Sequence, residues 1–288
     1  MDFKKYNNLI DLFFEQYEKQ PKDKIFLSTL KDPKKNFSWH EVKSTVLQLA
    51  NEISKIIKKG DRCLLISENR PEWMISDLSI MLAGGITVPA YTTYVSRDYE
   101  YIINDCTPSI VLVSNDEQFN KIKSICERNS SIKKIFSFEK LTGIHPNTYF
   151  NFEKLIESKN KNNEIKLEIN AERSDPACII YTSGTQGNPK GVILSHGGIL
   201  SNCEGAVELL ETLTRKKDPV FLTWLPLSHS YEHTVQFIQI IVGAKVFYAE
   251  SLEKLISNMG VAKPTIMTAV PRFYQNLFTK INMNFEKQ

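Results

Sequence analysis

Residues 60–90 read GDRCLLISENRPEWMISDLSIMLAGGITVPA. A Gly60-Asp61 turn leads into the short apolar run Cys63–Ile66, which reads as a buried strand. Helical spacing of apolar residues follows from Pro71 to about Leu82, and a second strand comes at Ile86–Pro89. Strand, helix and strand of these lengths make one βαβ unit, and βαβ units build a parallel sheet.

The same alternation extends in both directions. Upstream, Ser38 is placed to cap a helix and Glu41, three residues on, to complete a capping box, with the helix running to about Ile57. Downstream come helix Asp98–Asn104, strand Ser109–Val113, helix Asp116–Glu127 and strand Lys134–Phe138. Residues 143–175 are polar and rich in Asn and Lys, with one short helix expected near Phe152–Glu157, and read as a surface excursion. A buried strand, Ala177–Tyr181, then runs into a Gly-rich loop. After it the pattern predicts helix Gly198–Thr212, strand Val220–Leu225, helix Tyr231–Ile241, strand Ala244–Tyr248, helix Leu252–Met259, strand Thr265–Ala269 and helix Pro271–Ile281. The fold class is α/β: doubly wound, mostly parallel sheets flanked by helices, with residues 1–142 as a first α/β half and 176–288 as a second.

Composition excludes several classes. The 288 residues are 42% apolar and 24% charged, which supports a packed core and argues against disorder. The net charge of +3 rests mainly on Lys interspersed with acids, a solvated surface rather than the basic stripe of a nucleic-acid binder. Cys63, Cys106, Cys126, Cys178 and Cys203 include no CxxC pair, and their odd number argues for reduced thiols in a cytoplasmic protein. The N-terminus carries Asp2, Asp11, Glu15 and Glu18 and does not read as a signal peptide.

Chemistry concentrates at 181–192, YTSGTQGNPKGV. Three glycines, three hydroxyls and Lys190 lie within eleven residues after a buried strand. Glycines let backbone N–H groups converge on phosphate oxygens, hydroxyls add donors, and a lysine adds a point charge. Each charge-assisted bond contributes roughly 1.5–3 kcal/mol, enough in combination to hold a polyphosphate. The loop is not a Walker A motif, because Lys190 stands between Pro189 and Gly191 instead of before a hydroxyl.

This stretch resembles the YTSGTTGxPKG signature of the AMP-forming acyl-CoA synthetases, within the adenylate-forming superfamily. Residues 60–73, Gly84–Tyr91, Trp224–His233 and Val270–Tyr274 resemble further segments of that family, and SENRPEW and LPLSH are similar to its long-chain fatty acid–CoA ligases. The resemblance implies activation of a fatty acid by ATP to an acyl-adenylate, then transfer to CoA with release of AMP and pyrophosphate. It implies that Thr182, Ser183, Gly184, Thr185, Gln186 and Gly187 wrap the β- and γ-phosphates, with Thr182 near Mg²⁺ and Lys190 securing the loop or a phosphate. His229 matches the histidine beside the adenylate, and Lys190 and His229 are the implied catalytic pair. Gln186 departs from the family's Thr. Trp224, Phe237, Phe247, Val270, Phe273 and Tyr274 are candidates for an acyl tunnel, although apolar residues at such spacing also make ordinary core.

Two other readings stand beside this one. His229, Glu232 and His233 fit the short H-x-x-E-H pattern of an inverted zinc peptidase. The family also extends further, to a YGxTE-like motif whose glutamate shares the Mg²⁺, a ribose-binding aspartate and a small C-terminal domain with a catalytic lysine. The resemblance therefore implies an incomplete N-terminal portion of the large adenylate-forming domain. Such a chain is inactive alone, being completed by a separate chain or else a truncated or split nucleotide-binding fragment without catalysis. Long-chain substrates further imply peripheral contact with a membrane.

Overall fold

A computed structural model describes residues 2–32, 35–142, 149–152, 167–182, 189–214 and 218–285. Two sheets organise it. The first runs in the order β7-β6-β5-β3-β4-β8-β9, from strands β3 (Arg62–Ile66), β4 (Ile86–Ala90), β5 (Ile110–Val113), β6 (Lys134–Ser137), β7 (Tyr149–Asn151), β8 (Pro176–Thr182) and β9 (Lys190–Ser195). All neighbours are parallel except β8 and β9, which are antiparallel. The second sheet is β10-β11-β1-β2, from β1 (Ile25–Thr29), β2 (Asn36–Ser38), β10 (Val220–Thr223) and β11 (Lys245–Tyr248), with only β2 antiparallel.

The helices are α1 (Leu9–Lys19), α2 (Trp39–Ser54), α3 (Pro71–Leu82), α4 (Ser96–Cys106), α5 (Asp116–Arg128), α6 (His196–Thr214), α7 (Ser230–Ile241), α8 (Leu255–Ala262) and α9 (Pro271–Phe285). Alternation along each strand decides the layering. Cys63, Leu65, Ile110 and Leu112 point into the core between the sheets, with α1, α2, α3, α6 and α7. Leu64, Ile66, Val111 and Val113 point outward to α4 and α5. On the far side of the second sheet, Leu222 packs with Leu255 and Ala262 of α8 and with Phe273 of α9. Every residue of α3 is buried, because it is covered from both sheets.

Local chemistry sets the element ends. Ser38 caps α2 through a reciprocal box: its Oγ accepts from Glu41 N–H at 3.2 Å and Glu41 Oε2 accepts from Ser38 N–H at 2.9 Å. Behind this cap Trp39 stacks on Phe26 of β1 at 3.9 Å, which joins α2 to the second sheet. Pro71 opens α3, where a missing N–H costs nothing, and Gly84, at φ +81°, closes it.

The alternating units predicted between residues 38 and 138 and between 177 and 248 form as expected, with ends shifted by a few residues. Among the described residues, α1, β1, β2, β7 and β9 escape the sequence pattern, as does a short 3-10 turn at Phe3–Lys5. β1 and β2 belong to the second sheet and β8 and β9 to the first, so the sheets do not divide at the 142/176 boundary. Thr265–Ala269 is not a strand but contributes a single parallel bridge, Ile266 to Phe221. The helix expected at Leu252–Met259 begins at Leu255, because Asn258 turns back to accept from Glu250 N–H at 2.9 Å and residues 251–254 are spent on that turn. The helix expected at Phe152–Glu157 lies, beyond Phe152, outside the described residues. Among the described residues, no helix is long and apolar enough to cross a membrane.

Candidate functional site

Parallel strands end together, and in open α/β sheets the crevice beyond their carboxyl ends is where ligands bind. Here the carboxyl ends of both sheets face one cleft of about 1020 Å³. The first sheet contributes Ser67 after β3, Tyr91 to Thr93 after β4 and Asn115 after β5; the second contributes Thr29, Trp224, Ser228 and Ala249.

β8 ends at the same edge. Its last residue, Thr182, is paired in register with Lys190, the first residue of β9, and both are exposed. Thr182 and Lys190 thus form the backbone rung at the base of the glycine-rich stretch. Ser183, Gly184, Thr185, Gln186 and Gly187 lie outside the described residues. The rung is anchored from below. Tyr181 donates its hydroxyl to Asp105 of α4 at 2.5 Å, and the Tyr181 ring lies over Gly191. A Cβ at Gly191 would stand 2.9 Å from Ile179 Cγ2 and 3.3 Å from the Tyr181 ring, so the site requires a glycine for close approach.

His229 sits at the start of α7 as its N-cap. Its Nδ1 accepts from Tyr231 N–H at 3.3 Å, which in the neutral ring places the remaining proton on Nε2. The ring is exposed and free to donate. His233, one turn later, has the opposite environment. It is buried, stacked on Phe237 and edge-on to Trp73, with Nε2 2.9 Å from Asp77 Oδ2 in α3. Burial opposes a charge there, yet the Asp77 carboxylate outweighs that cost and raises the His233 pKa well above the usual imidazole value. Gln236 donates to the same Asp77 oxygen at 2.8 Å.

Glu232 lies between the two histidines and is fully buried. Its Oε2 accepts from Thr268 Oγ1 at 2.7 Å, while Oε1 has no hydrogen-bond partner among the described residues. Burial pushes its carboxyl pKa up to about 7, against the smaller opposing effect of the Thr268 hydroxyl. The zinc reading does not fit this geometry. His229 is a solvent-facing cap, His233 is committed to Asp77, and no trio of His, Cys, Asp or Glu among the described residues is placed to hold a metal ion.

The aromatic candidates separate into two groups. Trp224 donates Nε1–H to Thr268 O at 2.7 Å and packs on Phe273 at 5.1 Å, and Phe273 meets Tyr274 at 5.5 Å. Phe247 packs into the same cluster outside the second sheet, and Val270 is exposed at the start of α9. Phe237 does not join them: it is core between the sheets, against His233. Sequence reading missed Asp77, Thr268 and Asn69. For Asp77 a signal existed, since an acid in the middle of a largely apolar helix needs a buried partner.

A profile of the family described as AMP-binding enzyme matches residues 13–288. Long chain acyl-CoA synthetase 3 of Arabidopsis thaliana is 31% identical over 255 residues, 84% of this chain and 38% of that protein. Long-chain-fatty-acid–CoA ligase FadD15 of Mycobacterium tuberculosis is 27% identical over 290 residues, 97% of this chain and 46% of that protein. ATP-bound MatB from Rhodopseudomonas palustris shares the fold at a TM-score of 0.75 and 23% identity, over 94% of this chain and 51% of that one. The chain spans less than half the length of these two curated relatives. With the glycine-rich hairpin at the carboxyl edge of its first sheet and a profile match over nearly all of its length, the chain belongs to the AMP-binding enzyme family.

Proposed function

We propose that this chain carries the phosphate-handling and acyl-handling side of a ligase that activates a long-chain fatty acid. ATP and the acid give an acyl-adenylate and pyrophosphate, and CoA then displaces AMP to give the thioester. The observation that carries this reading is the exposed Thr182–Lys190 rung at the carboxyl edge of the first sheet, the edge whose strands β3, β4 and β5 open onto the cleft.

A carboxylate approaching a polyphosphate brings like charges together, so catalysis is chiefly positioning and charge neutralisation. Lys190 supplies a fixed positive charge at the mouth of the loop, and His229 supplies an Nε2–H donor for charge developing on the carboxyl or the α-phosphate. Thr182 offers an exposed neutral oxygen of the kind a hard cation accepts, which fits a Mg²⁺ held otherwise by phosphate oxygens and water. A cation held there would supply neutralisation of phosphate charge. Trp224, Phe273 and Tyr274 supply apolar surface for the acyl chain, and peripheral contact with a lipid surface accompanies a substrate that partitions into membranes. In this reading residues 1–288 by themselves bind Mg·ATP, and forming acyl-adenylate requires the further length that the curated relatives carry.

Calorimetric titration with Mg·ATP tests the binding claim. Lys190→Ala is expected to weaken binding about tenfold or more, the loss of one charge-assisted bond. Equal affinities for the two proteins overturn the assignment, and robust fatty-acid-dependent ATP–pyrophosphate exchange by the chain alone overturns its predicted inactivity.

A further inference from the structure

The segment that presents His229 leaves β10 as Trp224-Leu-Pro-Leu-Ser-His229 and belongs to the second sheet. One side chain of the first sheet's β3–α3 turn holds it. Asn69 Nδ2 donates to Leu225 O at 2.6 Å, and Asn69 Oδ1 accepts from Leu227 N–H at 3.1 Å. Between them stands Pro226, which has no N–H to offer. The carboxamide thus imitates a strand neighbour, pairing with a carbonyl and an N–H two residues apart as a backbone rung does. Leu227 is 1% exposed, so its side chain locks the same residue from the other side. Beyond it, His229 N–H returns to Pro226 O at 3.0 Å, and the cap of α7 follows directly.

A second tie lies next to the first. Glu72, 1% exposed in the first turn of α3, is held by Arg70 at 2.9 Å and by Lys35, which precedes β2 of the second sheet. Arg70 also reaches Glu139 at 2.7 Å. The turn that carries Asn69 is therefore braced, and a braced turn transmits position.

The geometry points to Asn69 as a positioning residue of the adenylation site: it sets where His229 stands relative to the edge that carries Thr182 and Lys190. This assignment rests on the adenylation reading given above. It acts through His229 and requires no contact between Asn69 and a substrate.

The test uses the 288-residue chain. Hydrogen–deuterium exchange is read for residues 224–231 in the parent, Asn69→Ala and Asn69→Asp. Asn69→Ala is expected to speed exchange there about tenfold or more, since two hydrogen bonds are lost. Asn69→Asp keeps the acceptor for Leu227 N–H and loses the donor, so it gives an intermediate rate. Exchange in β3 and β4 stays at the parent level. In the second arm, binding of a C16 acyl-sulfamoyl-adenosine weakens about tenfold in Asn69→Ala, and this loss vanishes in a His229→Ala background. Unchanged exchange at 224–231 overturns the proposal. So does a rise shared with the whole first sheet, or binding losses that multiply in the double variant. No binding by the parent overturns the adenylation reading itself, an outcome distinct from a missing clamp, which shows in the exchange.

Discussion

The two faces of the first turn of α7 carry the same kinds of side chain for opposite purposes. On the outward face His229 is exposed, caps the helix and keeps an N–H free. On the inward face, four residues on, His233 is enclosed by Trp73 and Phe237 and paired with Asp77, with Glu232 buried beside it. Identical imidazoles thus become a solvent-exposed helix cap and one half of an interior ion pair. What separates them is what stands opposite: solvent in one case, the all-buried α3 in the other.

The largest effect that sharpens this contrast is at the ion pair. Asp77→Ala leaves a charge-bearing imidazole without its carboxylate and is expected to cost about 3–5 kcal/mol in chemical denaturation. The pair also sets a pH dependence. His233 keeps its proton to a higher pH folded than unfolded, so its stabilisation is whole below about pH 6.5, the unfolded value, and is lost as pH rises through the folded value. Asp77→Asn should flatten that decline, and an unaltered slope would break the inward half of the comparison.

Next in size is Glu232. An acid whose pKa rises from about 4.3 unfolded to about 7 folded costs stability as pH climbs between those values, because the unfolded chain gives up its proton first. Glu232→Gln removes the ionisation while keeping the shape. It is expected to be more stable than the parent near pH 8 by about 1–3 kcal/mol, measured by denaturant midpoint at constant slope. A parent and variant with parallel pH profiles would place the carboxyl in water.

The smallest expected change in stability is at His229. Asn is a strong N-cap, so His229→Asn should alter stability by no more than about 0.5 kcal/mol. Its cost should fall on affinity for an acyl-adenylate analogue, about tenfold for one lost charge-assisted donor. Loss of stability without loss of affinity would reduce His229 to a cap.

Much of this was legible in the sequence for identifiable reasons. The Ser38–Glu41 box, the Pro71 start and the period switch through residues 60–90 are local signals, and each formed where the residues placed it. The glycines, hydroxyls and Lys190 of 181–192 and the LPLSH segment with His229 are contiguous in the chain, which is why the sequence offered them as candidates. β1 was missed because its parallel partner β11 lies more than two hundred residues away, and β2 because it is three residues long and pairs with β1 alone. β9 was missed because it follows the loop as an exposed antiparallel edge with no alternating pattern to betray it. Phe237 was assigned to a tunnel because an apolar side chain has the same local signature facing a ligand or facing core.

By itself the sequence determined the βαβ alternation and the family, since each rests on contiguous residues and their spacing. Only the tertiary structure decided which histidine is free, where Asn69 reaches, and that Glu232 is kept from ionising. Those properties depend on burial and on partners brought from other elements, and desolvation is a property of the packed interior rather than of the residue.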